Sequence, residues 1–404
     1  MPDQNSKPRI LWITRNCLLD QSSGAAISAR QILKQLASRG CEVRCLSATI
    51  FDAESGREKF NEYMKNLDHP PRYLEVRDGA ITHEIIFTAN YQKEAMRFDE
   101  LGALFGKFEK TLKEFKPDVV WLYGGKFFDR MIANRAKAHG ALTAFYLVNG
   151  NYTGHAWYQD IDLVTTDSNA TSDLYKKRLN IDVKPIGRFI QKNEYLADRR
   201  DPKYVTFVNP SPAKGGLVVA QIALEMDKRR PDILFEVVES RGKWTDALRA
   251  VSKALGEERS ELDNVLVTPT TQDMRPIYGR SRVVLMPSLW WESGGRVVSE
   301  AAINGIPSIV TNRGGPVEAI GRGGIKLNLP EEMFERPFRK LLPKSGIDSI
   351  IKGIERIFDD EDFYNQLVAE ITAHAQKTLS IEKNTDRLLS VLLDALESQE
   401  ASSS

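Results

Sequence analysis

Two glutamates separated by a glycine turn form the pattern in this chain that is best suited to chemistry. Glu292 and Glu300 stand eight positions apart within PSLWWESGGRVVSEAAINGIPSIVTNRGG, residues 287–315, with Gly294 and Gly295 between them. The preceding run SRVVLMPS predicts a strand, and VVSEAAINGI predicts a helix that ends at Gly305. Free backbone N–H groups at the start of that helix, with the positive end of its dipole, favour an anion above the turn.

The spacing of the two carboxylates suits a long ligand that carries hydroxyl groups on both sides of a phosphate. Glu292 lies at the mouth of the turn, and eight residues advance a helix by ~800°, so Glu300 lies about two turns along on nearly the same face. One carboxylate can therefore hold hydroxyls beside a phosphate while the other holds hydroxyls further along the ligand. A sugar and a ribose joined through a diphosphate fit this pattern.

The composition limits the classes of protein to which the chain can belong. Its 404 residues are enough for two or three domains. The 56 basic and 55 acidic residues give a formal net charge of +1, which provides no support for nucleic-acid binding. The three cysteines form no C-x-x-C pair, which is typical of a protein in a reducing compartment without disulfides or a metal site.

The sequence predicts a cytoplasmic protein. The N-terminal stretch MPDQNSKPRILWIT contains no apolar run long enough for a signal peptide, and no segment approaches the ~20 apolar residues of a membrane span. Residues 102–115, GALFGKFEKTLKEF, form an amphipathic pattern that leaves peripheral contact with the inner face of the membrane as an alternative. Packing against a sheet explains the same apolar stripe more simply.

Strand-like apolar runs alternate with helical patterns along most of the chain, which predicts parallel sheets covered by helices on both faces. We predict a Rossmann-like domain over residues 1–190, a linker over 191–203 and a second Rossmann-like domain over 204–378. Residues 379–404 should form a helix that packs back on the first domain and ends in a disordered tail. The fold class is thus α/β, with two doubly wound domains facing each other across a cleft and binding ligands at the carboxyl ends of their strands.

Two loops at predicted strand ends could also contact a phosphate. Lys214, in SPAKGG, stands between the first strand of the second domain and its helix, where its ammonium group can reach an anion. The loop SSGAA around Gly24 follows the first strand of the first domain. It could bring backbone against a ligand, although a plain turn explains it equally well.

The pattern PS…E…GG…E…A…GP…GG…E resembles family 4 of the retaining glycosyltransferases, which have the GT-B fold. The resemblance extends from SSGAA through KPDVVW and KG to the two-glutamate unit and GGPVE, and that unit is its most specific part. It implies that Glu292 contacts the hydroxyls of the donor sugar, Glu300 holds the nucleotide ribose and Lys214 neutralises the diphosphate. It further implies that other groups face the phosphates: the backbone amides of Gly294, Gly295 and Arg296, and the loop around Gly24 near the distal phosphate.

The resemblance implies an enzyme that uses a nucleotide sugar, UDP- or GDP-linked, as a substrate and needs no cofactor. It implies transfer with retention at the anomeric carbon, as in polysaccharide biosynthesis, to an acceptor held mainly by the first domain. That acceptor is a glycan, a lipid-linked compound or a small molecule. No D-x-D pair lies in a loop where a divalent ion would bridge phosphates, so we expect no metal.

The chain departs from the family pattern at two places. An arginine is common five or six positions before the lysine, where this chain has Asn209 and Val208. Arg241, in VVESRGK, either replaces that cation or is an ordinary surface arginine. A histidine is common after the strand TAFYLVNG, where this chain has Asn149, with His155 six residues further on. Both are candidates for the acceptor side, and no general base is assigned.

Two other functions remain open at this point. A sugar-nucleotide epimerase of the same fold would use the same donor site but release a free sugar. A non-catalytic subunit would bind the nucleotide sugar without turnover, as the missing arginine and histidine would allow. A nicotinamide-dependent oxidoreductase is disfavoured, because no G-x-G-x-x-G begins either half. Trp290 and Trp291 precede Glu292, and at least one of them should pack inward.

Overall fold

Two β-sheets organise the chain, one in each of two units. The computed structural model describes residues 7–58, 60–61 and 73–403. Unit 1 comprises residues 1–189 and 381–404, and unit 2 comprises residues 190–380. Alternating strands and helices build both units, as the sequence pattern predicts.

Helices follow most strands in chain order. They are α1 (Gly24–Ser38), α2 (Phe98–Phe115), α3 (Phe127–Ala138), α4 (Asn169–Leu179), α5 (Lys192–Tyr195), α6 (Gly216–Arg229), α7 (Trp244–Ala254), α8 (Arg275–Arg280), α9 (Arg296–Ile303), α10 (Gly315–Ile320), α11 (Lys344–Asp359), α12 (Glu361–Thr378) and α13 (Ile381–Ser403). The RGGPVEAI segment contains α10, because Pro316 fits the first turn of a helix. No helix in the described part of the chain is long and apolar enough to cross a membrane.

The sheet of unit 1 has eight strands in the order β3-β4-β2-β1-β5-β6-β7-β8. These strands are β1 (Arg9–Ile13), β2 (Glu42–Ala48), β3 (Tyr73–Asp78), β4 (Ile81–Ile86), β5 (Val119–Leu122), β6 (Leu142–Leu147), β7 (Leu163–Thr166) and β8 (Val183–Pro185). Only β3 runs antiparallel, paired with β4 through the turn at Gly79, whose φ is +63°. The chain builds the sheet outward in opposite directions from the β1–β5 pair, so the loops after these two parallel strands lie side by side.

The sheet of unit 2 is entirely parallel, in the order β11-β10-β9-β12-β13-β14. Its strands are β9 (Tyr204–Val208), β10 (Leu234–Val238), β11 (Val265–Thr268), β12 (Ser281–Met286), β13 (Ser308–Thr311) and β14 (Gly324–Leu327). The connections reverse direction between β9 and β12, which is the switch point where such sheets bind ligands. The loop with Lys214 follows β9, and the loop with Glu292 follows β12.

Residues 191–203, predicted as a linker, belong to unit 2 and form backbone hydrogen bonds with the rest of it. The backbone N–H of Asp201 donates to the carbonyl of Gly279 at 2.7 Å, and that of Lys203 donates to the carbonyl of Arg280 at 2.8 Å. The chain returns to unit 1 at α13, where Leu388 and Leu392 are buried against α1. This helix includes residues 402 and 403 of the SSS tail, for which the sequence predicts disorder, and residue 404 lies outside the described part.

The three cysteines are buried thiols in unit 1. Burial raises the pKa of Cys17 to about 12 and that of Cys41 to about 11, and it raises the pKa of Cys45 well above its ordinary value. A thiol that resists ionisation is a poor nucleophile and a poor metal ligand. The cysteines therefore act as small apolar side chains.

Glycines allow the loops after β9 and β12 to touch. Gly215 has a φ of +85°, and a Cβ on it would overlap the carbonyl oxygen of Pro287 and lie 2.8 Å from the Pro287 Cγ atom. The carbonyl of Ala213 accepts from the backbone N–H of Leu289 at 3.0 Å and from that of Trp290 at 2.9 Å. The two loops at the switch point are thus fastened to each other through their backbones.

We predict that Gly215→Ala lowers the free energy of unfolding of unit 2 by at least ~3 kcal/mol, because the methyl group must push the two loops apart. Gly256→Ala is the matched control: its φ is +80°, but a Cβ there would meet nothing within 4 Å. That variant should lose only the ~1 kcal/mol of left-handed backbone strain. Calorimetric unfolding of both variants measures the difference, and equal losses would contradict the proposed contact.

Candidate active site

Lys214 and Glu292 meet at the switch point of unit 2. The Nζ atom of Lys214 forms an ion pair with the Oε1 atom of Glu292, and both side chains remain partly exposed. Lys214 ends a short 3-10 turn, Pro212–Lys214, directly before α6. The sequence places these two residues 78 positions apart, and the parallel sheet brings them together because adjacent strands end at the same edge.

Backbone and side-chain hydrogen bonds fix the position of Glu292. Ser288 Oγ donates to Glu292 Oε1 at 2.9 Å. The backbone N–H of Gly315, at the start of α10, donates to the Glu292 carbonyl at 2.9 Å. Gly314, with a φ of +73°, lies so close that a Cβ on it would be 2.5 Å from the same carbonyl oxygen. The GGPVE segment therefore holds the backbone of Glu292 in place through a hydrogen bond and a close glycine contact.

The glycine turn ends at the start of α9. Gly295 is the N-cap residue, with a φ of +64°, and a Cβ on it would lie 2.9 Å from the Cγ atom of Pro316. Gly295 has no side chain that could cap the first backbone N–H groups of the helix. Gly294, Gly295 and Arg296 thus form a glycine turn that leads directly into a helix start, the kind of position at which proteins can bind anions.

The side chain of Arg296 turns away from that turn and onto Glu300. Its Nε atom lies 2.7 Å from Glu300 Oε1, an i,i+4 ion pair in which both side chains are largely buried. Burial by itself would lower the pKa of Arg296, but the Glu300 charge beside it raises that pKa above its ordinary value. The contribution of Arg296 to the turn is therefore its backbone, while its guanidinium group belongs to the second glutamate.

Tyr278 is the other partner of Glu300, and the sequence reasoning missed its role. The hydroxyl of Tyr278 donates to Glu300 Oε2 at 2.6 Å, and Glu300 is 4% exposed. Burial raises the pKa of Glu300, and the Arg296 charge and the Tyr278 hydrogen bond offset part of that rise. Burial and the nearby carboxylate also raise the pKa of Tyr278 well above its ordinary value. Each oxygen of Glu300 thus has one protein partner.

The segment predicted as a linker completes this buried cluster. Tyr195, at the end of α5, accepts from Arg296 Nη2 at 2.8 Å, and its ring lies 5.0 Å from the guanidinium carbon. Asn304, directly after α9, donates from Nδ2 to the carbonyls of Tyr195 and Glu300, at 2.9 and 2.8 Å. These contacts fasten the first residues of unit 2 to the helix that carries Glu300.

Asn209 occupies the position where the family pattern has a cation. Its φ is +66°, and its Oδ1 atom accepts from the backbone N–H of Gly242 at 3.2 Å. Asn209 therefore joins the loops after β9 and β10. Arg241 precedes Gly242 on the second of these loops, and its side chain is exposed at the carboxyl edge of the sheet. The structure thus places an arginine on the neighbouring loop, one strand away from Lys214.

Gly24 is the first residue of α1, so the segment SSGAA is a helix start rather than a loop. The Ser23 hydroxyl oxygen caps this helix by accepting from the backbone N–H of Ala26 at 3.5 Å. A Cβ on Gly24 would meet nothing within 4 Å. The backbone therefore does not require glycine here, and the space above the helix start is open.

Asn149 and His155 both lie on the loop after β6 in unit 1. The Asn149 carbonyl accepts from the Tyr175 hydroxyl at 2.9 Å, and its side chain accepts from the backbone N–H of Asn151 at 3.0 Å. His155 is exposed, and its Nδ1 atom is hydrogen-bonded to the Tyr158 hydroxyl. Packed aromatic rings hold this loop in place, and among them the ring centroids of Tyr152 and Trp157 lie 4.9 Å apart.

Aromatic and basic side chains surround the approach to Glu292. Trp290 packs edge-on against Phe338, at a centroid separation of 6.4 Å, as expected for an inward-facing ring. Arg313 lies over the ring of Trp291, with 5.5 Å between the guanidinium carbon and the ring centroid. Arg313 directly precedes the Gly314–Gly315 pair, and only the fold brings it next to Trp291.

We predict that Tyr278→Phe lowers the free energy of unfolding by ~2 kcal/mol, because it removes the hydrogen bond from a buried carboxylate without changing the packing. Tyr73→Phe, at a tyrosine that is 49% exposed, is the control and should have little effect. Chemical denaturation of both variants measures the difference. An unchanged Tyr278→Phe protein would mean that Glu300 does not depend on this hydroxyl.

Comparisons with known proteins identify the family that the residues of unit 2 match. Residues 191–378 match the family described as glycosyl transferases group 1. No curated protein matches the sequence significantly. The match contains Lys214, Arg241 and the whole two-glutamate unit.

Several solved structures share the fold of the whole chain. A glycosyltransferase from Rickettsia africae is 15% identical with a TM-score of 0.67, and the match covers 96% of this chain and 99% of that one. Sucrose-phosphate synthase from Thermosynechococcus elongatus is 14% identical with a TM-score of 0.69, covering 98% and 100%. The Anabaena protein HepE, in complex with UDP and glucose, is 14% identical with a TM-score of 0.65, covering 96% and 100%. Unit 2 of this chain is therefore a glycosyl transferases group 1 domain, and the chain as a whole has the GT-B fold.

Proposed function

We propose that this chain is a retaining glycosyltransferase that transfers a sugar from a nucleoside diphosphate to an acceptor hydroxyl. The observation that carries this proposal is the contact between Lys214 and Glu292 at the switch point of unit 2, beside the start of α9. This contact brings a cation and a carboxylate together beside a helix start, and these groups would suit the charges and hydroxyls of a sugar diphosphate. The UDP and glucose bound by HepE support a UDP-linked donor, and a GDP-linked donor is the alternative.

Donor binding would exchange the ion pair of Lys214 and Glu292 for two new contacts. The diphosphate would take the ammonium group of Lys214, and the sugar hydroxyls would take the oxygens of Glu292. The turn amides of Gly294, Gly295 and Arg296 would face the phosphates, and Glu300 would accept from the ribose hydroxyls with its remaining lone pairs. Gly24, at the start of α1 in unit 1, is a further proposed donor contact.

The chemistry requires stabilisation of negative charge on the leaving group. The bond between the anomeric carbon and the phosphate oxygen breaks, and its electron pair leaves on the diphosphate. The acceptor hydroxyl attacks from the same face, and its proton passes to the departing phosphate oxygen, which gives retention without an enzyme nucleophile. Lys214 and the helix amides stabilise the diphosphate in the transition state, which is the main electrostatic task.

We also propose that the reaction needs no metal or cofactor. One D-x-D pair, Asp160 and Asp162, precedes β7, at the edge of its sheet opposite to the carboxyl ends of the strands. The other, Asp360 and Asp362, lies at the start of α12, where the Asp360 side chain caps the helix by accepting from the backbone N–H of Phe363. Asp162 is already engaged, because it accepts from the Thr143 hydroxyl at 2.7 Å and from Lys137 at 2.5 Å. These carboxylates are therefore poor candidates for a diphosphate-bridging ion.

The acceptor is proposed only by class: a glycan, a lipid-linked compound or a small molecule, in polysaccharide biosynthesis in the cytoplasm. Asn149 and His155 in unit 1 are the proposed contacts. His155 is the more adaptable of the two, since it is exposed and held by a single tyrosine hydroxyl. Asn149 is hydrogen-bonded through both its carbonyl and its side chain, so it would contact the acceptor in its present conformation.

We predict that one nucleoside diphosphate binds in a calorimetric panel of UDP, GDP, ADP, CDP and dTDP. Glu300→Ala should weaken that binding at least ~10-fold, because the ribose loses its acceptor, and Lys214→Ala should weaken it similarly through the diphosphate. If the folded protein binds none of the five, the glycosyltransferase proposal is wrong.

Arg241→Ala, compared with Arg249→Ala on α7, tests whether Arg241 replaces the cation missing at residue 209. Both arginines are exposed, but only Arg241 lies at the carboxyl edge of the sheet. We expect Arg241→Ala to weaken binding of the nucleoside diphosphate several-fold and to affect binding of the corresponding nucleoside monophosphate less. Equal affinities in the two variants would mean that Arg241 is an ordinary surface residue.

Turnover distinguishes the transferase from its two rivals. With the donor that binds, we expect slow hydrolysis alone and faster sugar transfer when an acceptor is present, with the product showing the donor's anomeric configuration by NMR. Conversion to a free epimerised sugar without an acceptor would identify an epimerase. Donor binding without hydrolysis or transfer would identify a binding subunit, and an inverted product would overturn retention.

A further inference from the structure

Two helices of unit 1 begin with an exposed phenylalanine at the same edge of the sheet. Phe98 is 90% exposed and Phe127 is 73% exposed, and they are the first residues of α2 and α3. Strands β4 and β5 precede these helices and run in the same direction, since each is parallel to its neighbour toward β1. Both helices therefore start at the carboxyl edge of the sheet.

The two helix starts are built alike. In each, a basic residue precedes the phenylalanine, and an acidic residue at the third helical position accepts from the backbone N–H of that basic residue. Glu100 accepts from Arg97 at 2.7 Å, and Asp129 accepts from Lys126 at 2.9 Å. Both acidic side chains are 6% exposed. Their hydrogen bonds fix the first turn of each helix, and the phenylalanine two positions before each acid therefore stays at the surface.

The two phenylalanines are close enough to contact one surface. Arg135 on α3 donates to Glu109 on α2 at 3.0 Å, so the helices lie side by side. Counting back from this pair, Phe98 lies eleven residues and Phe127 eight residues earlier, which places the helix starts level to within ~5 Å. Packed helices are ~10 Å apart, so the two helix starts lie close enough for both phenylalanines to reach one flat surface.

Cations and a further apolar side chain adjoin Phe127. Met131, one turn along α3, is 38% exposed and shares the face of Phe127. Lys126 and Arg130 are exposed, and within the described residues no carboxylate lies at ion-pair distance from either of them. Arg97, beside Phe98, is paired with Asp99 at 2.8 Å, so the unbalanced positive charge is concentrated on α3.

We propose that this rim, formed by Phe98, Lys126, Phe127, Arg130 and Met131, binds the surface of an anionic lipid bilayer. Exposed aromatic and aliphatic side chains beside unpaired cations match the boundary between acyl chains and negatively charged headgroups. The amphipathic stripe of α2 is not available for this role, because Leu104, Phe108, Leu112 and Phe115 are buried in unit 1. The rim would bring the carboxyl edge of unit 1 to the membrane, and it does not depend on which nucleotide unit 2 binds.

Co-sedimentation of the full chain with vesicles tests the proposal. We expect binding to vesicles of phosphatidylcholine with phosphatidylglycerol, weaker binding to phosphatidylcholine alone, and a loss of the difference at high salt. The double variant Phe98→Ser, Phe127→Ser should bind the anionic vesicles at least ~10-fold more weakly, since two apolar anchors are removed. Lys126→Gln with Arg130→Gln should abolish the preference for anionic vesicles.

Leu255→Ser is the matched control, because Leu255 is an exposed apolar residue of unit 2, 52% exposed, and lies outside the rim. It should bind the vesicles like the unchanged protein, and circular dichroism should show all variants folded, since only surface residues change. Failure of the unchanged protein to bind anionic vesicles at low salt would overturn the proposal. Equal binding by the serine double variant would overturn it as well, and neither result bears on the nucleotide panel.

Discussion

The close approach of two loops at the switch point of unit 2 is the constraint on which the candidate site depends. The sheet brings β9 and β12 together, and the Ala213 carbonyl joins the loops that follow them. Gly215 is needed at that contact, since any side chain there would overlap the Pro287 carbonyl. Lys214 is fixed on one loop and Glu292 on the other, so the backbone contact sets the distance between the cation and the carboxylate.

The second glutamate is held in a different way, and that difference explains how the loop after β12 and the helix that follows it carry two kinds of carboxylate. Glu292 is partly exposed and paired with a flexible lysine, so its partner can be exchanged for a ligand. Glu300 is almost fully buried, with a guanidinium group on one oxygen and a phenol on the other. Leaving a buried carboxylate without partners costs several kcal/mol, so Arg296 and Tyr278 stabilise the fold whatever Glu300 binds. A carboxylate held in this manner can recognise hydroxyl groups without reorganising, which favours specificity.

Much of this arrangement could be predicted from the sequence, and the parts that could not share a physical cause. The alternation of strands and helices and the loops with Lys214 and Glu292 are local patterns, and the rule for parallel sheets places those loops at one edge. The contact of Tyr278 with Glu300 could not be predicted, because it depends on how α8 packs against α9. The same holds for residues 191–203: their polar composition indicates a linker, but their backbone groups pair with residues 279 and 280. The helix start at Gly24 was missed because Ser23, which caps it, also fits a turn.

Asn209 shows how the loop after β9 is built at the position where the family pattern has a cation. Asn209 adopts a left-handed backbone conformation that asparagine tolerates better than arginine does, and its side chain bonds to the loop after β10. Gly242, which receives that bond, also lies so close to Ser211 that a larger residue would not fit. The loop after β10 is therefore drawn against the loop after β9, and Arg241 is placed at the carboxyl edge as a consequence. A cation supplied from this neighbouring loop would act from a different direction than one on the loop after β9. The geometry of the phosphate contacts, rather than the total positive charge, is then what would distinguish this chain from its relatives.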